Sequence, residues 1–193
     1  MRWKVTTPPS VEPVTADDLV AQFRGDPSDV IEWDLLTSYV TAAREFCENH
    51  MDRSVASQTI TLALDAFPGH VPVVLPRPPV VSIESVTYTN EAGANITVAS
   101  SVYGLDDFSD PPAVFLRAGE SWPTDVASER NAVRIEYVAG YADGTVPKSI
   151  AQAITLLAAH WEANREAVFT GSITKEIEFA VTALLGQRRM MSV

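Results

Sequence analysis

Cys47 and His50 stand three positions apart in a segment of helical periodicity, a spacing that turns two side chains toward one ligand. Two donors do not complete a zinc site, and His70 and His160 are remote in sequence. Cys47 also falls among apolar positions, where a buried thiol is the ordinary outcome. Asp106, Asp107 and Asp110 cluster ahead of Pro111-Pro112. A calcium loop wants oxygens at regular alternate positions and a glycine for its sharp turn. This segment has neither, and it reads as a turn with solvated carboxylates.

Nucleophilic chemistry leaves no signature. The chain contains no G-x-S-x-G elbow, no H-E-x-x-H pair and no glycine-rich phosphate loop. A glycosidase pair of carboxylates is defined by its spatial separation, which no sequence spacing selects. Trp122, between Ser121 and Pro123, reads as a loop anchor packed under strands in preference to a sugar platform. The residues thus point to no enzyme, no cofactor and no metal.

Charge narrows the partners. The net charge of −11, from 14 Lys and Arg against 25 Asp and Glu, argues against a protein whose task is gripping nucleic acid. Phosphate binding needs a basic stripe that displaces counterions. The single cysteine excludes an internal disulfide. The opening residues MRWKVTTPPSVEP lack the apolar core of a signal peptide, and no apolar run reaches transmembrane length. A soluble intracellular product with no membrane partner is expected.

The elements that would position any site follow from periodicity. A chain of 193 residues suits one structural unit or a unit with an insertion. Thr15 with Asp18 has the form of a capping box, opening a helix through Leu19 and Phe23 that stops at Gly25. A second helix is predicted from Ser28 or Asp29 to about Asp52, with Leu36, Tyr39, Val40, Ala43, Phe46 and Cys47 as its apolar positions. Strands are predicted at 59–64, 71–75, 80–88, 96–98, 114–116 and 132–138, with a hairpin turn at Asn90 to Asn95. Pro147 stands where a helix begins, and Ile150, Ile154, Leu157, Trp161 and Val168 form one face of it. Thr170-Gly171-Ser172 reads as a joint before a last helix over Phe179 to about Arg189, whose sticky side is Val181, Leu184 and Leu185.

The fold class expected is α+β. N-terminal residues 1–53 and C-terminal residues 142–193 would pack as one helical bundle. An antiparallel β-sandwich or partial barrel would be inserted at 54–141.

Five segments, in order, carry a family resemblance: Pro13-Val14-Thr15 leading into a helix, LPRPPVVSIESVTY from Leu75 to Tyr88, Ser121-Trp122-Pro123, YVAGY at 137–141 and HWEANREAV at 160–168. Together they resemble the head–tail connector (adaptor) proteins of long-tailed bacteriophages, across most of the chain. The resemblance implies a non-enzymatic virion protein, made in the bacterial host cytoplasm. It implies a ring of roughly a dozen copies docked on the portal, with a tail-side stopper or terminator beyond and DNA passing through unbound. On that footing Phe179, Leu184, Leu185, Arg188 and Arg189 are the candidate portal-docking residues, unless their helix simply packs on the bundle. Arg165 and Glu166 are candidate contacts between subunits, against a default of surface pairing. Two rivals stay open. A carbohydrate- or ligand-binding baseplate module would expose an aromatic cleft at Trp122 and Tyr103, and a hydrolase would gather perturbed carboxylates in a pocket.

Overall fold

The computed structural model describes residues 2–22, 32–164 and 175–190. The chain divides into a β unit, residues 1–10 with 57–141, and a helical unit, residues 11–56 with 142–193.

The β unit holds eight strands: β1 Arg2–Thr7, β2 Gln58–Leu64, β3 Val73–Val74, β4 Val80–Thr89, β5 Asn95–Thr97, β6 Tyr103–Asp106, β7 Ala113–Leu116 and β8 Val133–Ala139. They form a five-stranded sheet, β1-β2-β8-β4-β5, and a three-stranded sheet, β3-β7-β6. Every pairing is antiparallel, and neither sheet closes into a barrel. The expectation of antiparallel strands between helical segments is met. Residues 2–7 correct the expected helical N-terminus, because Arg2 to Val5 pair with β2.

Alternation decides the register. Ile60 and Leu62 of β2 stand opposite Tyr137 and Ile135 of β8, and all four are fully buried. Shifting β8 by one residue would turn its whole apolar set outward, so this register is strongly specified. The buried cluster draws on both sheets, with Val73 of β3, Tyr103 of β6 and Val114 of β7 joining it. Tyr137 carries its phenol into this core and donates a 2.7 Å hydrogen bond to the Pro76 carbonyl. Burial holds that phenol well above its ordinary range, despite the opposing charge of Arg77. The predicted turn joins β4 to β5, where Asn90 Oδ1 accepts from the Ala94 N–H at 2.8 Å and Gly93 takes φ 78°.

The helical unit contains α1 Ala16–Gln22, α2 Trp33–Met51, α3 Lys148–Ala163 and α4 Lys175–Gly186. The capping box is formed in full. The Thr15 N–H donates to Asp18 Oδ2 at 2.9 Å, and the Asp18 N–H donates to Thr15 Oγ1 at 3.1 Å. Those bonds hold the Asp18 carboxyl below its usual range. Phe23, Gly25 and the predicted start of α2 at Ser28 or Asp29 lie outside the described residues. Pro147 caps α3, its carbonyl accepting from the N–H groups of Ile150 and Ala151.

Helix α3 packs against α2 and α4, and α1 lies on both α2 and α3. The faces in contact are those of the sequence pattern. Leu36, Val40, Ala43 and Cys47 of α2 are buried, as are Ile150, Ile154 and Leu157 of α3. Phe46 departs from it at 37% exposed, because the stripe runs through 40, 43, 47 and 51 and leaves 46 on its shoulder. Trp161 is half-buried, and Val168 lies outside the described residues.

Candidate functional site

One buried network and one helix face of the helical unit bear on what the chain could do. The network is centred on α2. Arg44 donates from Nε to Glu12 at 2.8 Å and from Nη1 to Glu48 at 2.8 Å. Glu48 presents its other oxygen to the backbone N–H groups of Val55, at 2.7 Å, and Ala56, at 3.3 Å. Glu12 also accepts from the Thr41 hydroxyl at 3.0 Å. Arg44 and Glu48 are only 4% and 7% exposed. Burial works against the guanidinium's charge, yet the Glu12 hydrogen bond and the Glu48 carboxylate outweigh it and raise its pKa. A cation so held is a clamp and not an acid or base. Sequence periodicity could not find it, since charged residues are read as solvent-facing.

Cys47 lies on the same helix with no exposure. Burial first, and then the Glu48 charge, push its thiol up to about 12, so it offers no nucleophile. His50 stacks on Phe46 with ring centroids 6.2 Å apart. Among the described residues no three His, Cys, Asp or Glu side chains are grouped to hold a metal ion.

The C-terminal helix divides by face. Val181 and Leu185 are 2% and 0% exposed, one turn apart on the inner side of α4. Leu185 is therefore core, which corrects its place among the docking candidates: a fully buried leucine offers no surface. Leu184 is half-buried, while Phe179, Arg188 and Arg189 are exposed, Phe179 to 76%. The residues after α4 are tied back to the C-terminal end of α2 and the turn beyond it by two bonds. The Met190 N–H donates to the Met51 carbonyl at 2.9 Å, and Arg53 Nε donates to the Arg188 carbonyl. The helix packs and also presents a face. Arg165 and Glu166 lie outside the described residues.

The features that would favour the rivals take a different form. Trp122 and Tyr103 are each 7% exposed, and Trp122 stacks on Phe67 at 4.5 Å between centroids with planes 4° apart. That is a buried aromatic anchor, not a platform open to a sugar. Three carboxyls with lowered pKa are scattered and locally bonded. Asp18 serves the α1 cap, Asp65 accepts from the Asn131 N–H and Asp106 accepts from Ser109. Asp18 is held ionised by a cap, Asp106 by a turn, and Asp65 by the Asn131 N–H and Arg2 across the strand ends, which is structural work.

A fold of this kind has known relatives. The family described as head completion protein matches residues 26–182. This chain belongs to the head completion protein family. It is a structural virion component and not an enzyme. Among solved structures, the fold is similar to a chain in "Neck of empty GTA particle computed with C6 symmetry", with TM-score 0.80 and 23% identity over 100% of this chain and 97% of that one. A chain in "Virion of native gene transfer agent (GTA) particle" gives TM-score 0.80 and 24% identity over the same shares. A chain in "Neck of native GTA particle computed with C12 symmetry" gives TM-score 0.71 and 27% identity, again over 100% and 97%. No curated protein sequence matches the chain.

Proposed function

We propose that this head completion protein forms a closed ring, of roughly a dozen copies, seated between the portal and the tail-side stopper or terminator of a phage-like particle. The observation that carries the reading is likeness along the whole chain to subunits of gene transfer agent necks, one of them computed with twelvefold symmetry. A ring of identical subunits needs a heterologous contact that closes, in which one face of a copy meets a different face of the next. The helical unit acts in this reading as a terminal bundle with the β unit inserted as a sandwich. The outer face of α4 is the docking arm, with Phe179, Leu184, Arg188 and Arg189 laid into a groove of the portal. DNA passes along the ring axis without being gripped, in keeping with a net charge of −11 per copy.

Electron cryo-microscopy of particles carrying this chain tests the proposal. Density for this fold in a closed ring below the portal supports it. Density at the baseplate or tail tip instead contradicts it.

A further inference from the structure

The outer face of the five-stranded sheet carries a basic cleft that the docking arm does not use. In one row across the sheet, Arg2 of β1, Ala63 of β2 and Arg134 of β8 are consecutive partners. In the next row Lys4, Thr61 and Glu136 are consecutive partners, so the Glu136 carboxylate stands beside the cleft without lining it. Adjacent strands lie about 4.8 Å apart, so Arg2 and Arg134 flank the small Ala63 across roughly 10 Å. The two long side chains stand up on either side of a methyl group, and a depression of about 540 Å³ results. Its lining includes Arg2, Lys4, Arg134, Thr6, Thr61 and Asn131, with no carboxylate among the lining residues. Arg2 is partly offset by Asp65 at 3.3 Å. Neither Lys4 nor Arg134 has an ion pair among the described residues. Three of the chain's 14 cations are thus gathered in one cleft of a protein whose net charge is −11.

The same unit presents the complementary shape. The loop from β6 to β7 reads Asp106-Asp107-Phe108-Ser109-Asp110. Asp106 folds it into a fixed turn, accepting from the Phe108 N–H at 3.2 Å and from the Ser109 hydroxyl at 2.6 Å. That turn lifts Phe108 to 99% exposure, between the exposed carboxylates of Asp107 and Asp110. A loop tip with an apolar ring between two anions matches a cleft with an apolar floor and cationic walls, whose Lys and Arg stems offer further apolar contact.

We infer that the Asp107–Asp110 loop of one copy docks into the Arg2–Lys4–Arg134 cleft of the next copy, with Phe108 over Ala63. The contact joins two different faces of identical chains, which is the heterologous geometry that a ring requires. It rests on the ring reading above and adds to it the surfaces that meet.

Charge reversal tests the contact. One full-length variant carries Asp107→Lys with Asp110→Lys, and the other carries Lys4→Glu with Arg134→Glu. Each is assembled on the portal and weighed by native mass spectrometry beside the unaltered chain. Each variant alone should lose ring formation by tenfold or more, because like charges then meet at every contact. An equal mixture should recover it, with the two variants alternating around the ring, since a reversed loop fits a reversed cleft. Recovery also shows that both variants are folded. Rings from either variant alone at the unaltered yield, or no recovery in the mixture, overturn the contact while leaving the ring itself in place. Failure of the unaltered chain to form any ring overturns both.

Discussion

Arg44 donates a 2.8 Å hydrogen bond to Glu48 one turn further along α2, and both side chains are buried. Glu48 in turn holds the Val55 and Ala56 N–H groups, so the pair fixes where the chain leaves the helix. Removing one partner strands the other charge. Arg44→Ala should cost about 3–5 kcal/mol of unfolding free energy. Urea titration followed by circular dichroism measures it, and a loss below about 1 kcal/mol would show the pair to be dispensable.

The cap on α1 gives a pH-dependent signature. Asp18 has its carboxyl pKa lowered by the Thr15 backbone and hydroxyl bonds, so it binds its proton less readily folded than unfolded. Its contribution is present above the unfolded value of about 4 and is lost as pH falls through the lower folded value. Asp18→Asn should therefore flatten the acid limb of the stability profile and leave that limb's position above pH 6 unchanged in slope. Thr15→Ala, which removes the hydroxyl from the same box, should cost about 1 kcal/mol at neutral pH. Thermal melts between pH 3 and 7 read both effects.

The two faces of α4 should separate stability from docking. Leu185→Ala opens a cavity in the helical unit and should cost about 2–5 kcal/mol. Phe179→Ser alters an exposed side chain, should stay within about 0.5 kcal/mol in stability, and should weaken portal attachment. Co-sedimentation with portal rings distinguishes them. Undiminished attachment of the Phe179 variant would remove α4 from the docking surface.

Duplex DNA should not be retained by the assembled ring at physiological salt. The net charge of −11 per copy repels phosphate weakly, and the basic cleft is filled by the neighbour's acidic loop in the ring. A gel-shift assay that finds tight, salt-sensitive binding to the ring would move the protein toward nucleic-acid handling.

Legibility in the sequence followed side-chain pattern closely. β2 and β8 were readable because Ile60, Leu62, Ile135 and Tyr137 alternate with polar neighbours, and α3 because Ile150, Ile154 and Leu157 recur at helical spacing. β6 was hidden by Gly104, which weakens any strand signal. Its reason is the partner strand: a Cβ at Gly104 would lie 2.6 Å from the Phe115 ring opposite it. β1 was hidden because Arg2 to Thr7 is exposed on both faces, so no buried face imposes a pattern. The C-terminal helix α4 was visible, but which of Leu184 and Leu185 faces inward depends on its rotation against α3. The basic cleft was out of reach for the same kind of reason, since Arg2, Ala63 and Arg134 become neighbours only through strand pairing.

Native mass spectrometry of the purified chain, alone and with its portal, tests the ring most directly. Subunits that stay apart in free solution are compatible with the account, because weak ring contacts gain strength only when a template raises their effective concentration. With portal present, a closed oligomer of about twelve copies bound to the portal ring is the expected mass. Persistent monomers with no portal-bound species, at protein concentrations well above those of the portal, would contradict the account.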